Sequence, residues 1–173
     1  LFTVPIWRLK VDKFKDKKLK LQKLFSKFKE EENIYAKFET NKILTRTLTP
    51  NTVIGEFAEI IQDELHEFQQ TLKKDFSIND VWSVSYAENA HHPIHSHGST
   101  GLSGILYLDL PIDSPYTTYV QSWNDAESDC TIYNNLNVLE GDITIVPSYV
   151  LHYSSPNKSK EIKRIISWDM KYV

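Results

Sequence analysis

Residues 87–104 read AENAHHPIHSHGSTGLSG. This stretch holds four of the six histidines of the chain: His91, His92, His95 and His97. Neutral imidazole is the commonest protein ligand of divalent transition metals. In a β-strand, side chains two positions apart point to the same face, with Cα atoms about 6.6 Å apart. His95 and His97 can therefore approach a single metal ion from one edge of a sheet.

A third ligand is expected from the segment GDITIVPSYVLHYSSP (141–156), where His152 follows a turn and a strand-like run. A His-x-His pair alone is a common pattern, and the distant histidine is what favours a metal site. His91 and His92 are interpreted as loop residues at a pocket mouth. His66 lies on a helix beside Glu64 and Glu67 and is predicted to lie at the surface.

The chain changes character near residue 80. Residues 1–80 contain a strand-like start (1–9), a helix near 13–31 and a helix near 50–74 with a buried apolar stripe. Residues 80–173 contain short runs rich in Val, Ile, Tyr, Trp and Thr between turn signals: 81–86, 102–110, 117–123, 143–147, 150–153 and 162–173. Strands at this spacing predict an antiparallel barrel or sandwich with helices packed outside, a mainly β chain.

Composition excludes several classes of protein. The 173 residues are enough for one domain, and a net charge of −3 gives the chain as a whole no electrostatic reason to bind nucleic acid. No apolar run is long enough to cross a bilayer and no signal peptide is recognised, so a soluble, cytoplasmic protein is expected. Cys130 is the single cysteine, which excludes an intrachain disulfide.

Half of the 20 Lys and Arg residues lie between Arg8 and Lys29. This charge could meet an anionic partner. The apolar residues of the same segment fall on one helical face, however, and favour an amphipathic helix packed on the core with its lysines in solvent.

Arg164 lies in the final strand-like run EIKRIISWDM (161–170). It shares a strand face with Ile166, Trp168 and Met170. A buried arginine is costly unless it is paired. The residue is therefore an edge-strand arginine that reaches solvent, a partner of Asp169 or Glu161, or a bidentate clamp for a carboxylate inside the barrel.

The order of these blocks resembles the iron(II)- and 2-oxoglutarate-dependent oxygenases of the prolyl-hydroxylase-like superfamily, in particular a small single-domain group. The blocks are His95-x-His97, Ser103-Gly104-Ile105-Leu106-Tyr107, Gly141…Pro147-Ser148…His152, and Arg164. The resemblance implies a double-stranded β-helix (jelly roll) over 81–173, with a helical layer over 1–80, in a single domain 1–173.

The resemblance also implies site roles and cofactors. Fe(II) is bound by His95, the residue at position 97 and His152, and Arg164 holds the distal carboxylate of 2-oxoglutarate, with a possible hydrogen bond from Tyr107. The enzyme is then a dioxygenase that uses O₂, oxidises a substrate of unidentified class and releases succinate and CO₂.

Two positions depart from the family pattern. Most of the superfamily carries an acidic residue at the position of His97, so either the site is three-histidine or water takes that position. Ile166 stands where many relatives carry a serine or threonine that supports the arginine.

Two alternatives remain open at this stage. The spacing of Gly141, Pro147 and His152 also fits a cupin with a three-histidine metal, although no glutamate follows His97 at cupin spacing. The second alternative is a non-catalytic barrel that binds a carboxylate ligand.

Overall fold

The structure is a computed structural model, and it describes residues 4–26, 44–46, 51–125 and 127–173. Within these residues the helices are α1 (Phe14–Phe25), α2 (Asn51–Ile60) and α3 (Gln62–Leu72). The strands are β1 (Trp7–Lys10), β2 (Leu44–Arg46), β3 (Phe76–Tyr86), β4 (His92–His95), β5 (Leu102–Asp109), β6 (Thr117–Asn124), β7 (Thr131–Asn135), β8 (Asp142–Pro147), β9 (Leu151–Ser154) and β10 (Lys163–Tyr172).

The strands form two antiparallel sheets. The larger has the order β1-β8-β5-β10-β3-β2, and the smaller has the order β4-β9-β6-β7. Side chains from both sheets line one shared cavity, so the sheets face each other as the two halves of a jelly roll. The mainly β barrel with an outer helical layer is confirmed.

The larger sheet is buried on both faces. One face packs against the helices, in a core that includes Leu21 of α1, Phe57 of α2 and Phe68 of α3. The other face lines the barrel interior, where Trp82, Tyr107 and other residues form a second apolar cluster. In β5 and β8 nearly every side chain is buried, as expected for strands that are covered on both faces.

The register between β5 and β10 is fixed by a close approach of Trp168 to Gly104. The two residues are Cα partners, and Trp168 is fully buried against Phe57 at a ring-centroid distance of 5.0 Å. A Cβ atom at Gly104 would lie 2.2 Å from Cε2 of the indole. The indole therefore needs a glycine opposite it, which accounts for the glycine of the Ser103-Gly104 block.

The lysine-rich helix α1 is amphipathic and packed on the core. Leu21 and Leu24 are buried, while Lys17 pairs with the buried Glu64 at 2.9 Å and Lys18 pairs with Glu140 at 2.8 Å. These ion pairs neutralise part of the positive charge of α1 within the chain itself. Among the described residues, no helix has the length and apolar character needed to cross a membrane.

Several predicted boundaries are wrong. The helix predicted near 50–74 is two helices, because Ile61 leaves the helical region (φ −109°, ψ 23°) while its side chain stays fully buried. The larger sheet begins before residue 81, since β3 starts at Phe76 and β1 pairs with β8. The short strands β2, β4 and β7 were not predicted. The end of the helix predicted near 13–31 lies outside the described residues.

The helical layer and the barrel share one core, and β1 from the N-terminal segment belongs to the larger sheet. On this basis we propose that residues 1–173 form a single domain rather than two separable units.

The contact of Gly104 with Trp168 predicts a specific cost of adding one methyl group. Gly104→Ala should lower the free energy of unfolding by about 1–3 kcal/mol, because either the indole or a strand must move. Gly55→Ala is the matched control. Gly55 lies in α2 with no atom near an added Cβ, and alanine should stabilise that helix by up to about 1 kcal/mol. Urea denaturation of both variants tests this, and equal stability of the two would contradict the packing.

Candidate metal centre

The structure brings His95, His97 and His152 together. One potential ligand atom of each residue lies within 4.8 Å of those of the other two. His95 ends β4 and is the Cα partner of His152 on β9, and His97 follows two residues later, where its N–H donates to the carbonyl of Ser148 at 2.8 Å. Two strands and one loop therefore supply the cluster, from residues that are distant in sequence.

The hydrogen bonds of the three imidazoles fix which nitrogen can bind a metal. Nδ1 of His95 lies 2.8 Å from the carbonyl oxygen of Pro93, and Nδ1 of His152 lies 2.9 Å from the carbonyl oxygen of Val150. Nδ1 of His97 lies 2.8 Å from Oδ1 of Asp169. Carbonyl and carboxylate oxygens only accept, so each Nδ1 carries the proton and donates it. Each Nε2 is left with a lone pair, the state that a metal ligand requires.

Burial favours the neutral form of His152. The residue is 4% exposed, and desolvation, with a smaller contribution from the neighbouring His95, lowers its pKa to about 3. Its ring centroid lies 4.4 Å from that of His95 and 5.0 Å from that of His97. His152 therefore offers an unprotonated Nε2 at neutral pH.

The remaining histidines of the described chain are not part of this cluster. The ring of His92 stacks on that of His95 at a centroid distance of 3.9 Å and lines the cavity, but the residue begins strand β4 and does not lie in a loop as predicted. His91 does not line the cavity. His66 is exposed on α3, as predicted.

A small cavity lies beside the three histidines in the barrel interior. Among the residues that line it, His97 and Trp82 lie towards one end, and Thr117 and Ser154 lie towards the other. His152 and Ser154 are separated by one two-residue repeat of β9, about 6.6 Å.

Lys163 lies at the Ser154 end of this cavity. The residue is fully buried, and its Nζ donates to the carbonyl of Pro115 at 2.8 Å and to Oγ of Ser154 at 3.0 Å, with the ring of Tyr86 at 4.6 Å. Desolvation lowers the pKa of the ammonium to about 7. In the part of the chain that the structure describes, no carboxylate lies within salt-bridge distance of Nζ. A buried cation of this kind would be stabilised by an anionic ligand bound beside it.

The structure does not bring Arg164 into this cavity. Its side chain is 39% exposed and pairs with Asp109 at 3.2 Å on the outer face of the larger sheet. β10 alternates, so Ile165 and Ser167 line the cavity while Arg164 and Ile166 point towards the helical side. The predicted role of Arg164 as a clamp inside the barrel is wrong, because the residue lies on the opposite face of its strand. The departure at Ile166 loses its significance for the same reason.

Tyr107 lies inside the barrel, next to the Lys163 end of the cavity. It is buried, which raises the pKa of its phenol, and its hydroxyl group makes hydrogen bonds with Thr117, Thr144 and Tyr119. Thr117 is the Cα partner of Ser154, which binds Lys163. Tyr107 is thus connected to Ser154 and Lys163 through Thr117, although it does not itself line the cavity.

Sequence reasoning missed Lys163 and Asp169. A signal for both is present, since each shares a strand face with Ser167 at even spacing along β10. The residue types alone did not indicate a role in the site, because lysines and aspartates are usually exposed to solvent.

The donor set fits a divalent transition metal together with a small dicarboxylate. Three imidazoles present Nε2 to one point, and a buried ammonium without a carboxylate partner among the described residues donates to Ser154, which lines the same cavity. Fold and site together define a jelly-roll protein with a candidate non-haem metal centre.

A family model described as "Putative 2OG-Fe(II) oxygenase" matches residues 80–169, more than half of the chain. The chain belongs to this family of 2OG-Fe(II) oxygenases. It is thus an oxidoreductase whose cofactors are Fe(II) and 2-oxoglutarate, with O₂ as co-substrate. A search of curated protein sequences finds no match.

Solved structures show the same fold. HygX from Streptomyces hygroscopicus, with nickel and 2-oxoglutarate bound, has a TM-score of 0.72 at 9% identity over 98% of this chain and 83% of its own. The viral collagen prolyl hydroxylase vCPH from Paramecium Bursaria Chlorella virus-1 has a TM-score of 0.64 at 14% identity, covering 97% of this chain and 96% of its own. A 2OG-Fe(II) oxygenase-family oxidoreductase from Burkholderia pseudomallei has a TM-score of 0.69 at 8% identity, covering 96% and 84%.

The cluster predicts that metal binding depends on His152. His152→Ala should abolish stoichiometric binding of Fe(II) or Ni(II), because it removes a preformed lone-pair donor from the buried side of the cluster. His66→Ala, on the exposed face of α3, should bind as the unaltered protein does. Anaerobic metal titration, with the metal content measured after desalting, compares the two. Stoichiometric metal in His152→Ala would remove that histidine from the centre.

Proposed function

We propose that this protein is a dioxygenase that oxidises its substrate, most simply by hydroxylation, with conversion of 2-oxoglutarate to succinate and CO₂. The ligand set of Fe(II) in this proposal is His95, His97 and His152. The observation that carries the proposal is Lys163, a buried ammonium hydrogen-bonded to Ser154, which lines the same cavity as the three imidazoles. Bound Fe(II) and 2-oxoglutarate supply O₂ activation coupled to decarboxylation, with transfer of one oxygen atom to the substrate.

Lys163 is proposed to bind the distal carboxylate of 2-oxoglutarate. The two carboxyl carbons of extended 2-oxoglutarate are about 5 Å apart, since its carbon–carbon bonds are ~1.5 Å long. This length is comparable to the two-residue step on β9 from His152 to Ser154, whose Oγ lies 3.0 Å from Nζ of Lys163. One end of the ligand can thus reach the histidines while the other meets the ammonium.

The neighbours of Lys163 orient it. The carbonyl of Pro115 and the hydroxyl of Ser154 accept two of its three protons, which leaves one for a ligand. Thr117, the strand partner of Ser154, hydrogen-bonds to Tyr107. We propose Tyr107 as a further hydrogen-bonding group for the same carboxylate. The apolar side chains of Val84 and Ile165 line the cavity between its two ends and exclude water from it.

Family membership favours this function over the two alternatives. A cupin dioxygenase with three histidines gives no role to a buried lysine in the cavity. A non-catalytic carboxylate-binding barrel would leave the preset Nε2 atoms of three histidines without a purpose.

The proposal predicts that Lys163, and not Arg164, controls 2-oxoglutarate binding. Lys163→Met should weaken binding to the Fe(II)-loaded protein by at least about 30-fold, because loss of one partner of a buried charge pair costs about 2 kcal/mol or more. Arg164→Met removes the same charge from the outer face and should change the dissociation constant less than about threefold. The visible charge-transfer band of the Fe(II)–2-oxoglutarate chelate, titrated without O₂, measures both. Strong weakening in Arg164→Met with none in Lys163→Met would overturn the assignment.

Turnover tests the reaction itself. With Fe(II), 2-oxoglutarate and O₂, the protein should form succinate slowly even without its primary substrate, and Lys163→Met should not do so at the same 2-oxoglutarate concentration. Succinate measured by proton NMR is the readout. A protein that binds Fe(II) and 2-oxoglutarate but forms no succinate with any substrate supplied would favour the binding-barrel alternative.

The low pKa of Lys163 predicts a pH dependence of binding. The ligand-free protein loses the Lys163 proton as pH rises through about 7, whereas the bound carboxylate requires the ammonium. The dissociation constant of 2-oxoglutarate should therefore rise by up to about tenfold per pH unit above pH 7, and binding at pH 8 should take up about one proton. Calorimetry in two buffers of different ionisation enthalpy counts that proton. Lys163→Arg, which stays charged, should bind without proton uptake, and the same behaviour in the unaltered protein would refute the prediction.

A further inference from the structure

We propose that Asp169 is a positioning residue for the metal centre, which holds His97 in place and supplies a negative charge one hydrogen bond away from the metal. The inference rests on the ligand set of the proposed function, in which His97 binds Fe(II). It is independent of 2-oxoglutarate binding and of turnover.

The geometry begins with the ring of His97. Its Nδ1 donates to Oδ1 of Asp169 at 2.8 Å, and its ring centroid lies 5.2 Å from that of Trp82. The backbone N–H of His97 donates to the carbonyl of Ser148, and the following Gly98 turns the chain with φ +129°, a conformation that favours glycine. The ring is thus held at its backbone, at one face and at Nδ1, and Nε2 is left for the other two histidines.

Asp169 is itself held by buried groups. Oγ of Ser103 donates to Oδ1 of Asp169 at 2.7 Å and lies 3.0 Å from Oγ of Ser148. Both serines are 3% exposed, and the N–H of Ser148 donates to the carbonyl of Gly101. A cluster of two serines and one carboxylate, supplied by three separate segments, would be costly to bury without a role.

This cluster gives a purpose to two sequence blocks. Ser103 is the serine of the Ser103-Gly104 block, and Ser148 is the serine of the Pro147-Ser148 block. Neither serine lines the cavity, and neither is within reach of Lys163. Their contacts lead instead to Asp169 and through it to His97.

The electrostatic consequence follows from the ligand set. Three neutral imidazoles leave a divalent metal with two uncompensated positive charges, one more than a set that contains a carboxylate. A carboxylate that accepts from Nδ1 makes the imidazole a better donor at Nε2 and restores part of the missing negative charge. The acidic residue that the wider superfamily carries at position 97 is thus replaced by a His97–Asp169 pair.

A metal-affinity experiment without 2-oxoglutarate tests the proposal. The variants are Asp169→Ala, Asp169→Asn and Ser103→Ala, and Asp125→Asn in an exposed turn is a matched control that removes the same charge elsewhere. Asp169→Ala should weaken Ni(II) and anaerobic Fe(II) binding by about 10–100-fold. Asp169→Asn should weaken it less, because its amide oxygen can still accept from Nδ1. Ser103→Ala should have an intermediate effect, and Asp125→Asn none.

A double-mutant cycle separates positioning from other roles. If Asp169 acts through His97, Asp169→Ala should cause no further loss of affinity in a His97→Ala background. An equal loss of metal affinity in both backgrounds would overturn the proposal. Full metal binding by His97→Ala together with weakened binding by Asp169→Ala would also overturn it, because Asp169 would then be the ligand itself. Thermal unfolding of the metal-free variants checks that they fold, and unchanged affinity in a folded Asp169→Ala variant would also overturn it.

The outcome is distinct from failure of the proposed function. If the three histidines do not form the metal site, His152→Ala will bind metal as tightly as the unaltered protein does. If they do and 2-oxoglutarate does not bind, the affinities of the Asp169 variants are still informative, because no step of this test involves that ligand.

Discussion

The position of every functional group on β10 depends on the contact between Trp168 and Gly104. The indole fills the space that a side chain at position 104 would occupy, and this sets the register of β10 against β5. Because side chains alternate along a strand, a slip of one residue would exchange its two faces. It would move Lys163 and Asp169 out of the barrel and bring Arg164 in. A contact in the core on the helical side thus determines which charges the cavity contains.

The charges in the cavity are arranged along one strand. Lys163 and Asp169 lie six residues apart on the same face of β10, about 20 Å of extended chain, with the apolar Ile165 and the small Ser167 between them. The ammonium lies towards the end at which the barrel is closed by Tyr86 and Thr117, and the carboxylate lies beside His97. Neither charge contributes to stability in an obvious way, because Lys163 is fully removed from water and Asp169 keeps only part of its hydration. Their retention is best explained by the ligands that they would hold or support.

The fold class and the clustering of His95, His97 and His152 could be predicted from sequence, because both follow from local patterns. The spacing of His95 and His97 and the strand-like runs around His152 contain the necessary information. The carboxylate-binding cation could not be predicted in the same way. Arg164 and Lys163 are adjacent cations, and the choice between them depends on which face of β10 is inside, a property that is set by contacts distant in sequence. The short strands β2, β4 and β7 lack an apolar alternation and gain their structure from pairing with neighbours.

The three-histidine cluster and the buried lysine impose different demands on the same barrel. The imidazoles need acceptors at Nδ1, and the fold supplies them from the backbone for His95 and His152 but from a side chain for His97. Nδ1 of His95 and of His152 contacts the carbonyl two residues back, whereas Nδ1 of His97, which lies beyond the end of β4, contacts Asp169 instead. A side-chain acceptor is needed at that point, and a carboxylate meets the need while it also compensates charge. The loss of an acidic ligand at position 97 and the presence of Asp169 opposite it are therefore two parts of one structural solution.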